Sequence, residues 1–327
     1  MDYTRIESIV SPVDKFLPQK GTQIGFQDKR YAIGELCRLA ELEWDRPLNS
    51  TPSTDHWKAL FFAAILNHSV SDCSVVVGAP HSLVEVFSSQ IKEGLTGKHE
   101  LFLPDNTVRV VTINKAVVMS ECAGHALAFT KELGVHSLVI SIGFGTVELG
   151  AATEEGIIEK SLASINFGLH QAVPFFRNEL RALGYDNPMI RDDQFFYWDK
   201  IIQRVVDRDE NLLLNYNGKV WEAVDLALAA ENALKKYAES LVKHIANYFK
   251  KFDTKMPVVV TGGGVRYPAV ASKMEEFLKS IKYTCSIANE ETSLISAAVG
   301  YKYVAKELFG AKGVGIDIGN HSVVTIK

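Results

Sequence analysis

Apolar and polar positions change period repeatedly along this chain, and each change marks an element. Residues 3–13 and 22–33 alternate in the period-two manner of short strands, broken at Gly21 and at Gln27-Asp28. From 55 to 66 the period lengthens to that of a helix. Trp57, Leu60, Phe61, Ala64 and Ile65 share a helical spacing behind a Ser53-Thr54-Asp55 cap cluster. The valine-rich run 74–78 ends in Gly78-Ala79-Pro80 and reads as a buried strand feeding a loop. A helix over 82–94, a strand over 108–113 and a helix over about 120–133 follow.

The middle opens with a hydrophobic strand over 137–144 that runs into Gly143-Phe144-Gly145-Thr146. A second strand, 147–153, follows at once, which predicts a hairpin with a small-residue turn. Residues 168–215 are more polar and aromatic and mostly helical. The stretch 222–249 is one long amphipathic helix with Ala223, Leu226, Ala230, Leu234, Tyr237, Leu241, Ile245 and Tyr248 in one stripe. A strand over 258–260 ends in Thr261-Gly262-Gly263-Gly264. Helix 268–280, strand 282–287 and helix 291–308 come next. The last residues, from Gly313, read as another strand–turn–strand hairpin around Asp317-Ile318-Gly319-Asn320. Strands alternating with helices predict a mixed α/β fold.

Composition narrows the class without naming it. The chain has 327 residues, 47% apolar and 23% charged, which is ordinary for a globular protein and enough for one large fold or two domains. Its 35 Lys+Arg against 39 Asp+Glu leave a net charge of −4, so no nucleic-acid-coating surface and no direct nucleic-acid binding are expected. Cys37, Cys73, Cys122 and Cys285 lack CxxC or metal-type spacing and read as free thiols. The start shows no basic-then-apolar leader, and no run of 18 apolar residues exists. A cytoplasmic protein without a membrane span is expected.

The candidate chemistry lies in three glycine-rich turns, each after a buried strand: Asp317-Ile318-Gly319-Asn320, Ser141-Ile142-Gly143-Phe144-Gly145-Thr146 and Thr261-Gly262-Gly263-Gly264. Glycine lets backbone N–H groups approach a phosphate with no Cβ in the way. Each turn alone is also what a plain structural turn looks like. No P-loop signature and no strand–GxGxxG–helix opening is present.

As a trio, the turns resemble the nucleotide clamp of the actin, sugar-kinase and heat-shock-chaperone ATPase superfamily. The helices opening at Ser120-Glu121 and Glu291-Thr292 resemble its two inter-domain crossovers. Four further segments are similar to the ParM-type actin-like proteins of bacteria and archaea: Ser11-Pro12-Val13, Tyr31-Ala32-Ile33-Gly34, Thr54-Asp55-His56-Trp57-Lys58-Ala59-Leu60-Phe61-Phe62-Ala63 and Val76-Val77-Gly78-Ala79-Pro80. The order departs from that family, because the Asp317 hairpin comes last instead of first. The resemblance therefore implies a circularly permuted, two-domain actin-like fold of ribonuclease H-like repeats with an inter-domain nucleotide cleft. Domain I would comprise 1–136 plus 301–327, and domain II 137–300 with a smaller subdomain at about 168–222.

It also implies a function: a nucleotide-dependent actin-like cytoskeletal protein that binds ATP and ADP with Mg²⁺, hydrolyses ATP and polymerises into homopolymeric filaments. Plasmid segregation or intracellular organisation, with an adaptor or DNA-binding partner protein, would be its setting. A non-hydrolysing nucleotide-binding scaffold and a small-molecule kinase of the same superfamily are the alternatives. Carried over onto this chain, Gly143, Phe144, Gly145, Thr146, Gly262, Gly263, Gly264, Gly319, Asn320, Ser322 and Lys235 would touch nucleotide. Asp317 would serve Mg²⁺ through water, and Glu121 would orient the attacking water.

Two positions depart from the family's chemistry. The second-hairpin carboxylate is replaced by Ser141, leaving a neutral oxygen near the metal, and the phosphate lysine falls near Val324. A slow ATPase is the expectation. Several residues keep two readings. Glu121 is either a first-turn carboxylate or catalytic, and Glu148 is structural, solvent-facing or a stand-in for the missing Asp. Lys235 and Lys236 sit on a solvated face or near a ribose. His125 and His170 read as satisfied histidines, and Trp44, Trp57, Trp198 and Trp221 as packing.

Overall fold

A computed structural model describes residues 2–46, 54–187, 190–191 and 194–327; the expected cap residue Ser53 and residues 188–189 and 192–193 of the expected helical stretch lie outside these. In chain order the elements are β1 (Tyr3–Glu7), β2 (Val10–Val13), β3 (Thr22–Phe26), β4 (Lys29–Ile33), α1 (Glu35–Leu39), α2 (Asp55–Asn67), β5 (Asp72–Ala79), α3 (Val84–Leu95), β6 (Gly97–Phe102), β7 (Val108–Ser120) and α4 (Glu121–Leu133). Then come β8 (Ser137–Ile142), β9 (Val147–Thr153), β10 (Gly156–Ile157), β11 (Ala163–Ile165), α5 (Ala172–Ala182), α6 (Phe195–Val206), β12 (Leu213–Tyr216), β13 (Lys219–Glu222) and α7 (Ala223–Phe249). The chain closes with β14 (Val258–Thr261), α8 (Pro268–Ser280), β15 (Cys285–Ile287), α9 (Glu290–Phe309), β16 (Gly313–Ile318) and β17 (Ser322–Ile326).

A nine-stranded sheet runs β1-β17-β16-β5-β7-β6-β3-β4-β2, and a second sheet runs β10-β9-β8-β14-β15 with β11 on β9. β5 is parallel to β16 and β7; β16–β17 and β17–β1 are antiparallel, with Tyr3 opposite Ile326. By compactness the chain divides into a first unit of 1–139, 148–164 and 294–327 and a second of 140–147 and 165–293.

In the first unit, α2 is capped by Thr54, whose hydroxyl accepts from the Trp57 amide. Its apolar face joins Ile24, Phe26, Tyr31, Val75 and Val77 in a continuous core. At the β3–β4 hairpin, Gln27 and Asp28 have φ of 50° and 61°, the pair of left-handed residues that a two-residue turn of matching twist demands. Helix α9 lies close on its neighbours because glycines face it. A Cβ on Gly300 would stand 1.9 Å from the Gly124 carbonyl oxygen of α4, and one on Gly315 of β16 2.6 Å from that of Ala298. Beside this crossing His125 is buried, with Nδ1 2.7 Å from Ser296 Oγ, and burial pushes the imidazole down to about 4.

In the second unit, α7 buries the expected stripe through Ile245, but its last anchor is Phe249, not Tyr248. The predicted strand 282–287 shortens to β15 because Lys282 is left-handed (φ 68°) and Tyr283 turns inward to donate to the Phe249 and Phe252 carbonyls. Two further readings change. β6 was not expected, and β7 continues to Ser120 past the polar pair Asn114-Lys115. Among the tryptophans, Trp57, Trp198 and Trp221 are core, whereas Trp44 is 38% exposed and lies under the guanidinium groups of Arg38 and Arg46.

Candidate functional site

In the second unit the turn after β8 is held from one side. The carbonyl of Gly143 accepts from the Leu169 amide (3.0 Å), that of Phe144 from the His170 amide (3.1 Å), and that of Gly145 from the Gly168 amide (3.2 Å). His170 Nδ1 adds a second bond to the Phe144 carbonyl at 2.8 Å. In a trans peptide C=O and N–H point in opposite directions. With three successive carbonyls tied to segment 168–170, the amides of Phe144, Gly145 and Thr146 face the other way. Such a row of N–H groups is an anion nest. The side chain of Phe144 is not on that face; it is buried and stacks on Phe196. Ser141, at the end of β8, is buried.

The Gly262–Gly264 turn is fixed by sterics. Gly262 has φ 84°, and a Cβ there would come within 2.7 Å of the Ile142 carbonyl oxygen; one on Gly264 would reach Ile142 Cγ2 at 2.5 Å. Gly263 differs, because its Cβ would meet nothing closer than Leu169 Cδ1 at 3.9 Å. Two of the three glycines thus serve packing, and the middle one leaves open space. Thr261, just before them, is fully buried with a hydroxyl that has no partner among the described residues. Lys235 is exposed and pairs with Glu231 one turn away on α7, and Lys236 pairs with Glu179.

The first unit, taken by itself, holds a group of carboxylates. Asp317, on β16 before the Gly319–Asn320–His321 turn, is half-buried, and burial pushes its carboxyl up to about 7. Glu121 opens α4, where burial first and then the charges of Glu148 and Asp317 raise it well above the carboxylate range. Glu148 is 2% exposed; it accepts from the His81 amide at 3.2 Å and from Ser164 Oγ at 2.5 Å, so the solvent-facing reading is corrected. Its sequence signal was a lone carboxylate in an otherwise apolar strand. Tyr301 of α9 is fully buried, and its hydroxyl has no partner among the described residues. Its ring sits in a socket of two glycines. A Cβ on Gly78 would stand 2.0 Å from the hydroxyl, and one on Gly124 2.4 Å from Cε1. The phenol is raised by burial and then by the charges of Asp317 and Glu121.

Val324 is fully buried with Ala298 and Ile326 in a small core cluster and lies directly across the β16–β17 ladder from Asp317. Among the described residues no set of three or more His, Cys, Asp or Glu side chains is placed to hold a metal ion. The carboxylates still fit a Mg²⁺ that takes one or two of them and draws its remaining ligands from phosphate and water. Repulsion among Glu121, Glu148 and Asp317 would be relieved by such a cation. The amide row over 144–146 fits phosphate oxygens.

Residues 2–124 match the family model described as actin like proteins N terminal domain. The chain is similar along most of its length to solved structures of actin homologues. An archaeal actin homologue in complex with ADP is 15% identical with a TM-score of 0.66, covering 92% of this chain and 91% of that one. ParM of Bacillus thuringiensis with ATP is 16% identical with a TM-score of 0.58, covering 93% and 91%. A 15-stranded ParM filament from Clostridium botulinum is 14% identical with a TM-score of 0.64, covering 92% of each chain. A search of curated proteins gives no match. The fold of this chain is actin-like.

Proposed function

We propose that this protein is a nucleotide-dependent actin-like protein that binds ATP and ADP with Mg²⁺ and assembles with copies of itself. The observation that carries the reading is the amide row of Phe144, Gly145 and Thr146, fixed by three tied carbonyls on an actin-like fold. Similar chains were solved with ADP, with ATP and as filaments, which supports carrying both properties here. Gly319, Asn320 and Ser322 supply the second phosphate turn, and the space at Gly263 takes the nucleoside. Asp317 holds the cation through water, Ser141 offers it a neutral oxygen, and Glu121 orients the attacking water. Mg²⁺, when bound, neutralises phosphate charge. Ser141 and Val324 bring neither a carboxylate nor a cation, so hydrolysis is slow. Filament-based segregation of DNA through an adaptor protein is the setting we favour, in the cytoplasm.

Light scattering with ATP, ADP or no nucleotide, with phosphate release followed in the same tube, tests this reading. Scattering that rises with ATP and decays as phosphate appears is expected. Gly263→Val should fold normally yet lose both signals. ATP binding unchanged in a folded Gly263→Val would remove that turn from the site. Scattering without phosphate release would favour the non-hydrolysing scaffold, and phosphate release without scattering the soluble kinase.

We further propose that the element order is a circular permutation of the actin-like fold. The β16–β17 hairpin follows α9 through Gly310–Lys312, and β1 lies antiparallel on β17. A gene opened at Gly310–Lys312, with residues 327 and 1 joined by a short glycine linker, should yield a folded protein. Failure of that chain to fold, against a folded parent, would count against the permutation.

A further inference from the structure

Among the described residues the turn after β16 has one backbone tie from another segment, the Ser8 amide, where 168–170 supplies three to 143–145. A side chain far away in sequence supplies the other. Arg46 Nη1 donates to the Asn320 carbonyl at 3.0 Å, and the Ser8 amide donates to the His321 carbonyl at 3.1 Å. The same Nη1 lies 3.3 Å from His321 Nδ1. Arginine has only donors, so in this pair the imidazole Nδ1 is the acceptor. The guanidinium is 7% exposed, lies over Trp44 at 5.2 Å and approaches Glu7 at 3.6 Å. Glu7 is held in turn by Arg38, which reaches both its carboxylate oxygens.

By the geometry of the trans peptide, a tied Asn320 carbonyl turns the His321 amide away from Arg46, and a tied His321 carbonyl turns the Ser322 amide away from β1. We propose that Arg46 is the positioning residue of the 319–322 turn, holding its peptides so that the His321 and Ser322 amides face a phosphate. This rests on the reading that the chain binds nucleotide. The arrangement also accounts for the tolerance of valine at 324. Charge enters from behind the turn, through a guanidinium aligned on a carbonyl and an imidazole, in place of a cation on the strand itself. Arginine suits the task because its planar fork bonds several acceptors at fixed angles, which an ammonium cannot do.

The test uses the full chain with Arg46→Met and Arg46→Lys, titrated calorimetrically with Mg²⁺-ATP and with adenosine. Glu7 keeps Arg38 as a partner in both variants, so the local charge balance survives. Arg46→Met should lower ATP affinity about tenfold or more while adenosine affinity stays within about twofold. Arg46→Lys should recover part of the loss. A folded Arg46→Met that binds ATP as the parent does, or that loses ATP and adenosine equally, would overturn the proposal. If the parent binds neither ligand, the nucleotide reading falls. Hydrogen exchange of amides 319–323 in the ligand-free protein then decides whether Arg46 holds the turn. Faster exchange in Arg46→Met confined to those amides supports the anchoring, and unchanged exchange overturns it.

Discussion

Two turns of the same outward make are fixed by different forces. The 143–146 turn is locked by backbone, through three carbonyls bonded to 168–170, with Gly168 so close that a Cβ would stand 2.3 Å from the Phe144 carbonyl oxygen. The 319–322 turn is roomy at its glycine, where a Cβ would meet nothing nearer than the Ser322 carbonyl oxygen at 3.4 Å, and it is held by the Arg46 side chain with one backbone bond from Ser8. Steric locks are short-ranged and insensitive to solvent conditions, whereas charged locks respond to pH and salt. One fold therefore carries a rigid turn and a tunable one.

The largest effect should come from breaking the steric lock. Gly168→Ala drives a methyl into backbone that cannot move aside, and a loss of roughly 3 kcal/mol or more is expected in urea unfolding. Gly319→Ala, the matched change in the other turn, should cost less than about 1 kcal/mol, since its φ is not left-handed and the space is there. Equal losses would erase the distinction.

A further effect, read by pH, belongs to the first unit. In the ligand-free protein Asp317 keeps its proton up to about 7, against an ordinary 3.8. Between those values the folded state binds a proton that the unfolded state has released, so stability falls as pH rises through that window. Asp317→Asn should flatten the slope and add on the order of 1–2 kcal/mol at neutral pH, after allowance for its partial exposure. His125 works oppositely. Held down to about 4 against 6.5, it costs stability as pH falls from 6.5 to 4, and His125→Gln should leave the carboxylate slope alone. Unchanged pH profiles in both variants would show that neither group titrates as its burial implies.

Much of the fold was legible because strands and helices here bury strongly patterned faces. The stretch over 55–66 announces itself by period and cap, that over 268–280 by period and the proline that opens it, and that over 147–153 by its apolar run after the small-residue turn. β6 does not, because its Lys98 and Glu100 leave a single buried residue, Leu101, to carry the alternation. The glycine turns could be read, but not their division of labour. Gly262 and Gly264 look like Gly263 in the sequence, and only the approach of Ile142 tells them apart. Arg46 could not be found, because the local partner of its guanidinium, Trp44, reads as packing and the groups that give it a role sit at positions 7 and 320–321.

The socket around Tyr301 constrains how this sequence can drift. A methyl at Gly78 or Gly124 collides with the ring, so either glycine can change only after residue 301 has become smaller. Once a side chain has filled the vacated space, the tyrosine cannot return until the glycine does. The three positions would be inherited as a block, and the order in which they change would run in one direction. In a lineage of such chains, an alanine at 78 would date the loss of the tyrosine as the earlier event.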